Sequence, residues 1–222
     1  MAIQFVSGWY GAPGEGNLWA LGDSVSIFVE HRIAVTDSGI FLQVTSGANQ
    51  GLWLSALVTG FIWYQVWDAG GYFPGQLFTP TPTGTWSTFS WRDTPTSVQY
   101  WLNGASSPAY GGHGRTPVDT GVREFRIGHG GFTRQCQGDL SGFSVWKGYT
   151  LTDQDRQSLR DGAHPYTIGR GSLANYYSMR GDYASTRIYD SVGGKHLSAV
   201  GGTPTKAEEQ PKRRRNGFVG CF

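Results

Sequence analysis

The sequence predicts an all-β protein, a sandwich of two antiparallel sheets carrying one short helix near residues 152–161. Three observations predict it. Apolar residues alternate with polar ones along much of the chain, the period of half-buried strands. Glycine accounts for 34 of 222 residues and aromatics for 14%, a composition suited to short strands joined by tight turns. One good helix signal occurs, late in the chain, and a strand-rich chain with a single helix packs as two sheets. The length suits one large β domain, expected over residues 1–210 with a basic tail at 211–222, and is sufficient to bury a core without covalent staples.

In the segment 25–33, Val25, Ile27, Val29 and Ile33 share one face, while Ser24, Ser26, Glu30 and Arg32 share the other, so a half-buried strand is expected. Ile40, Leu42 and Val44 repeat the pattern before a turn at Ser46–Asn49. Leu52, Leu54, Ala56 and Val58 form the next run, closed by Gly60. Phe61 to Trp67 is apolar on both sides and reads as a central strand. Leu77 to Gly84 is proline-rich and reads as a connection. Trp86–Trp91 is expected to pair with Val98–Leu102 through a turn at Arg92–Pro95, and Asn103-Gly104 ends the second strand with hairpin-turn chemistry. Ala105–Asp119 lacks periodicity and reads as a surface loop. Strands are expected at Phe125–Ile127 and Leu140–Lys147. In the helix, Thr152 caps the N-terminus with Asp155 as capping-box partner, Leu151 and Leu159 share a face, and Gly162 is the stop.

Charge narrows the class of partner. Eighteen Lys and Arg against sixteen Asp and Glu leave a formal net charge of +2, which argues for neither nucleic acid nor a membrane as main partner. The one dense charge cluster is Lys212, Arg213, Arg214 and Arg215, read either as a partner contact to an acidic neighbour or as a solvated end. Cys136 and Cys221 are distant in sequence and are expected as free thiols. The N-terminus lacks the basic and apolar regions of a signal peptide, and no apolar run reaches about 18 residues.

Candidate sites are sparse. Glycan hydrolysis on a strand needs alternate carboxylates pointing into one cleft. The acidic pairs here, Glu208-Glu209 and Asp153/Asp155, sit beside a basic tail and at a helix start, so no enzyme is expected. His31, His113, His129, His164 and His196 are scattered without metal-ligand spacing. Asp23, Asp119 and Asp139 read as solvated turn aspartates. The glycine strings at Gly11–Gly16 and Gly111–Gly114 read as turns rather than phosphate loops. Arg180-Gly181-Asp182 spells an adhesion tripeptide that chance readily produces. Trp53, Trp63, Trp67, Trp86, Trp91 and Trp101 are expected mainly in the core, with a protein-contact face or a sugar-stacking platform as alternatives.

Three phrases in fixed order carry a resemblance. Gly84-Thr85-Trp86 leads to Tyr100-Trp101-Leu102-Asn103-Gly104. Arg126-Ile127-Gly128 precedes the run Gly138–Asp155, with Trp146, Leu151 and Thr152 in place. Leu173–Met179 precedes Asp190–Ser198, with Gly193-Gly194 inside it, and Gly202-Thr203. The chain thereby resembles the laminin-G-like, concanavalin-A-like jelly-roll family, in the version found in structural genes of tailed phages and prophages. The resemblance covers roughly two-thirds of the chain; the first 80 residues fit loosely, and residues 216–222 depart from the pattern. It implies a two-sheet jelly roll; laminin-G relatives hold calcium with loop carboxylates and carbonyls, to which Asp23, Asp119 and Asp139 could contribute here, and no other cofactor is expected. It further implies a non-enzymatic virion protein, a decoration or cement subunit on a phage capsid or tail. Such a subunit would contact the major capsid protein or other virion proteins and assemble as a homo-oligomer. The alternative is a carbohydrate-binding, lectin-like adhesion module for host or environmental glycans, because sheet faces of this fold bind sugars in many relatives.

Overall fold

The computed structural model describes residues 2–5, 9–11, 24–34, 38–46, 50–56, 61–68, 71–80, 83–94, 97–106, 110–111, 124–130, 134–179, 186–201 and 205–207. In chain order the strands are β1 (Ala2–Phe5), β2 (Trp9–Gly11), β3 (Val25–Ile33), β4 (Ser38–Ser46), β5 (Gln50–Ala56), β6 (Phe61–Asp68) and β7 (Gly71–Pro80). They continue with β8 (Ser87–Thr94), β9 (Ser97–Leu102), β10 (Ala105–Ser106), β11 (Tyr110–Gly111), β12 (Glu124–Ile127), β13 (His129–Gly130) and β14 (Arg134–Gln135). The last are β15 (Gly138–Lys147), β16 (Leu173–Tyr177), β17 (Arg187–Ile188), β18 (Leu197–Val200) and β19 (Thr205–Ala207). Helix α1 (Asp153–Arg160) and a 3-10 turn, Pro165–Thr167, lie between β15 and β16.

The strands form two large antiparallel sheets, as the jelly-roll expectation requires. One has nine strands in the order β10-β9-β8-β3-β15-β1-β19, with β11 also on β9 and β16 also on β15. The other runs β17-β18-β2-β12-β4-β5-β6-β7, and β13 pairs with β14 apart from both. Strand β3 is central: it pairs with β15 from Val25↔Lys147 to Ile33↔Gly138 and with β8 from Val25↔Asp93 to His31↔Ser87. Its alternation aims Val25, Ile27, Val29 and Ile33 inward, each at most 1% exposed. There they join Phe89, Trp91, Phe143 and Val145 of the same sheet and Tyr10, Phe125, Ile127 and Leu197 of the other. Phe125 bridges the layers, its ring 5.4 Å from Phe143 and 6.3 Å from Tyr177. Burying each such side chain contributes about 1.5–3 kcal/mol, so this aromatic and β-branched layer dominates the stability.

Several expectations are corrected in detail. Strand β3 is covered on both faces rather than one: Ser26 and Phe28, on its outer side, are buried as well. The cover is the segment after β15. Phe28, Trp146, Leu151, Leu159 and Ile168 make a second apolar cluster there, the Ser26 hydroxyl accepts from the Leu151 N–H at 3.2 Å, and the Trp146 indole N–H donates to the Ile168 carbonyl at 3.0 Å. Leu77–Pro80, expected as connection, belongs to β7, which ends its sheet. An edge strand has one row of backbone groups with no ladder to serve, which is where Pro74 and Pro80 are tolerated. Phe61–Asp68 is accordingly next to the edge rather than central. The β8–β9 hairpin continues through Arg92, Asp93 and Thr94, which pair with Gln99, Val98 and Ser97. Within the expected loop 105–119, the short strands β10 and β11 pair with β9.

The local chemistry of the turns and cap is as expected. Asn103 and Gly104 have φ of 50° and 86°, the pair of positive values a two-residue hairpin turn needs, so Leu102 faces Ala105 across it. At α1, the Thr152 hydroxyl accepts from the Asp155 N–H at 3.1 Å and the Asp155 carboxylate accepts from the Thr152 N–H at 2.9 Å. Gly162 lies just past the C-terminus with φ 91°. No helix among the described residues is long and apolar enough to cross a membrane.

Candidate functional site

Helix α1 covers only part of the outer face of the nine-stranded sheet, and the uncovered part forms a cleft. Its open space is about 450 Å³, counted out to the solvent at its mouth. Strands β3 and β15 supply its floor through Phe28, Glu30, Ser141, Gly142 and Ser144, and Tyr176 of β16 bounds one side. The other wall is built by Leu159 near the end of α1 and by the segment Gly162, Ala163, His164 and Pro165 beyond it. The register brings these together: Phe28 lies opposite Ser144, Glu30 opposite Gly142, and Tyr176 opposite Ser144 from the far side. A register shift between Leu140 and Gly142 leaves Ser141 as the extra residue. Such an insertion re-aims a side chain, and the Ser141 hydroxyl donates to a Glu30 carboxylate oxygen.

An aromatic cluster stands at the wall. The rings of His164 and Tyr166 stack flat, 5.0 Å apart with 2° between planes. Both meet Tyr176 edge-on, at 5.1 and 5.9 Å. Tyr166 is 44% exposed, unusual for a ring held this rigidly. It is fixed from both ends: its N–H donates to His164 Nδ1 at 3.3 Å and its hydroxyl donates to the Ser191 carbonyl at 2.8 Å.

The Ser191 side of that clamp is organised by Asp190. This carboxylate is 3% exposed and accepts from five donors: Asn175 Nδ2 at 2.7 Å, Tyr176 N–H at 3.0 Å, Val192 N–H at 3.0 Å, Gly193 N–H at 3.1 Å and Lys195 N–H at 3.1 Å. A buried charge persists only when its lone pairs are satisfied in this way. Gly193 is required by close approach: a Cβ there would lie 2.4 Å from Asn175 Nδ2 and 2.5 Å from the Ala174 carbonyl. Asp190 is thus a fastener that fixes β16, and Tyr176 with it, to the loop under Tyr166.

The residues singled out from sequence fall elsewhere. Lys212, Arg213, Arg214 and Arg215 lie outside the described residues, as do Cys221, Asp23, Asp119, Arg180-Gly181-Asp182 and Glu208-Glu209. Asp139 is buried, and the Arg32 Nε–H donates to it at 2.5 Å; its role is an ion pair within the sheet. Among the described residues no group of three metal-ligating side chains converges. Cys136 is a buried free thiol whose pKa burial pushes far above the usual range, with the Asp139 charge adding to the effect. Among the tryptophans, Trp91 is in the core and Trp101 is 6% exposed under the Arg156 guanidinium, 3.6 Å from its ring centre. Trp86 lies beside Arg32, 5.5 Å away. The side chains of Trp53, Trp63 and Trp67 lie outside the described ones.

Sequence reasoning misses Glu30, Ser141, Ser144, His164, Tyr166 and Tyr176 as site residues. One signal is present: His164-Pro165-Tyr166 places two rings in a polar segment immediately after the helix stop, where no strand or helix face buries them.

No family model matches the chain, and no curated protein matches it in sequence. Solved structures match it in shape. A candidate carbohydrate-binding protein from Bacteroides ovatus superposes with a TM-score of 0.64 at 17% identity, covering 94% of this chain and 61% of that one; the chain therefore spans about three-fifths of that protein. A heptameric SAP-like pentraxin from Limulus polyphemus gives 0.58 at 14% identity, over 91% and 90%. The CBM40 domain of the Ruminococcus gnavus IT-sialidase, solved with α2,3-sialyllactose, gives 0.57 at 12% identity, over 71% and 95%. At such identities the likeness establishes the fold, an antiparallel jelly roll. It does not bear on the phage origin that the sequence resemblance implied.

Proposed function

We propose that the chain is a non-catalytic carbohydrate-binding module and that the sugar lies in the cleft beside α1, against the wall that includes His164, on whose ring Tyr166 stacks. The observation that carries this reading is the pairing of a flat, partly exposed aromatic stack with an adjoining polar floor. Sugar rings present an apolar C–H face and an equatorial fringe of hydroxyls. A ring stack receives the first, and the Glu30 carboxylate and the Ser141 and Ser144 hydroxyls can bond the second. Sites for small ligands have this make-up, mostly apolar walls with a few convergent polar groups. Among the described residues lining the cleft, Glu30 is the only carboxylate, so the acid pair of a glycosidase is not assembled there. The Bacteroides and Ruminococcus neighbours, described as binding carbohydrate, add support.

The virion-decoration reading has the sequence resemblance behind it and nothing in the cleft. The two readings are compatible, since a particle subunit can also bind glycans. The test is a glycan array followed by calorimetry on each hit. Wild type is expected to bind a defined saccharide. His164→Ala and Tyr166→Ala are expected to abolish that binding with little change in Tm, because both rings are exposed. Tyr166→Phe, which keeps the stack but removes the hydroxyl's bond to the Ser191 carbonyl, should bind more weakly than wild type and more tightly than Tyr166→Ala. Absence of saccharide binding, or binding indifferent to both alanine variants, defeats the proposal.

A further inference from the structure

We infer that the sugar site continues out of the cleft, across the turn Asp190–Lys195 to a second aromatic position at Tyr189, so that the ligand is an oligosaccharide rather than a single sugar; the inference deepens the carbohydrate reading above and rests on it. The large apolar side chains that stand most exposed among the described residues are Tyr189 at 51%, Tyr166 at 44% and Val192 at 38%. All three meet at Ser191. The Tyr166 hydroxyl donates to its carbonyl, and Val192 follows it in the chain. Tyr189 precedes it by two residues, a separation of at most about 7 Å between α-carbons. An exposed apolar side chain standing singly is ordinary on a protein surface, whereas a group of them marks an interaction site.

The exposure of Tyr189 is imposed by the fold. Its neighbours Ile188 and Asp190 are both buried, and alternation along an extended segment then turns Tyr189 outward. Ile188 pairs with Leu197 in the eight-stranded sheet, and Asp190 bridges to Tyr177 in the nine-stranded one. Tyr189 thus stands where the chain crosses from one sheet to the other. The His196 ring meets it edge-on at 5.0 Å, and the Arg187 guanidinium lies 5.9 Å from its ring centre. His196 is itself tied down, because its Nδ1 accepts from the Asp190 N–H at 3.2 Å. Asp190 therefore supports both aromatic positions. Its carboxylate holds the Tyr176 backbone and the turn that receives the Tyr166 hydroxyl, and its N–H holds the histidine that braces Tyr189.

These positions are joined to the cleft. His164 lines it, Tyr166 stacks on His164, and the Ser191 turn leads from Tyr166 to Tyr189. Successive units of a sugar chain each present a C–H face that a ring can receive and hydroxyls that a serine or a guanidinium can bond. A second contact on the same ligand acts at high effective concentration, so it raises affinity without any change in the cleft. A protein partner would use the same rings, but continuity with the cleft favours the saccharide.

The experiment measures, by calorimetry, wild-type affinity for the mono-, di-, tri- and tetrasaccharide forms of the glycan-array hit. Affinity is expected to rise with chain length, by about tenfold between the shortest form that binds and the longest. Tyr189→Ala should remove that gain, bringing the longest form to the affinity of the shortest, and Tyr189→Phe, which keeps the ring, should preserve it. Affinity in wild type that does not grow with length overturns the inference, and this arm needs no variant to fold. A gain that survives Tyr189→Ala also overturns it, as does an equal loss of short and long forms in Tyr189→Ala, which would make Tyr189 a support of the cleft. In each of these cases binding that His164→Ala abolishes leaves the carbohydrate reading standing. If no form of any length binds, that reading fails and this inference falls with it.

Discussion

Protonation of one buried histidine should make the fold acid-sensitive well above the pH at which carboxylates titrate. His31 lies on β3 between Ser87 of β8 and Leu140 of β15, on the same side of the strand as Val29 and Ile33. It is 0% exposed, and neither ring nitrogen has a hydrogen-bond partner. Burial lowers its pKa from 6.5 to about 4, because the imidazolium would lose its hydration with nothing in exchange. Between those two pH values the unfolded chain takes up a proton that the folded chain refuses. Stability therefore falls as pH drops from about 6.5 to about 4 and is level above that window. At ~1.4 kcal/mol per pH unit, the gap between 6.5 and about 4 comes to about 3 kcal/mol. Domains commonly have only about 5–15 kcal/mol in total, so the loss is large.

His31→Leu removes the proton site and two unsatisfied polar atoms. Urea unfolding of both proteins at pH 7.5, 6, 5 and 4.5, followed by tryptophan fluorescence, isolates the effect. Other titrating groups are common to the two chains and cancel in the difference. The variant should be as stable as wild type or more so at pH 7.5, and its advantage should grow by about 3 kcal/mol toward pH 4. Parallel pH profiles for the two proteins would refute the reasoning, since they would mean that His31 is solvated or finds a partner for its proton.

Two further changes test the supports of the site. Gly193→Ala forces a methyl group into Asn175 and the Ala174 carbonyl, so a loss of about 1–3 kcal/mol is expected by chemical denaturation, together with weaker saccharide binding through the loosened Tyr166–Tyr176 clamp. Thr152→Ala removes the cap of an eight-residue helix and should cost about 1 kcal/mol by the same assay. Asp155 should contribute to acid lability only below its unfolded pKa near 4: burial raises its pKa, but the bonds from Thr152 and Tyr149 outweigh this and hold it low, so its stabilisation disappears as pH falls further.

The elements legible in the sequence are those that short-range chemistry decides. Thr152 and Asp155 are three residues apart and cap a helix by themselves. Asn103-Gly104 makes its turn from the conformational freedom of two residues. The inner face of β3 follows from alternation alone. What escaped was whatever depends on position in the assembled sheet. The prolines of β7 argue against a strand unless it lies at an edge, and the run 71–80 does not announce that it is one. Ser26 is polar and alternates outward, yet it is buried because Leu151, 125 residues later, donates to its hydroxyl. The order of strands, which sets β3 beside β15, does not follow from periodicity.

The cleft escaped for the same reason in stronger form. Glu30, Ser141, His164 and Tyr176 come from four separate segments, and no spacing along the chain connects them. Each has an ordinary local explanation: a polar strand face, a serine before a glycine, a histidine after a helix, an aromatic strand. Their meeting depends on α1 being short. A helix of eight residues, about 12 Å long, covers Phe28 and Trp146 but stops before Glu30 and Ser141. The sequence that ends the helix, Asp161-Gly162-Ala163, therefore determines how much of the sheet stays open, and His164-Pro165-Tyr166 directly after it determines what overlooks the opening. Tyr166 is then locked by Ser191 and Tyr176 by Asp190, so the wall is rigid before any ligand arrives. A preorganised aromatic wall loses little conformational freedom on binding, which favours the sugar site proposed for this cleft.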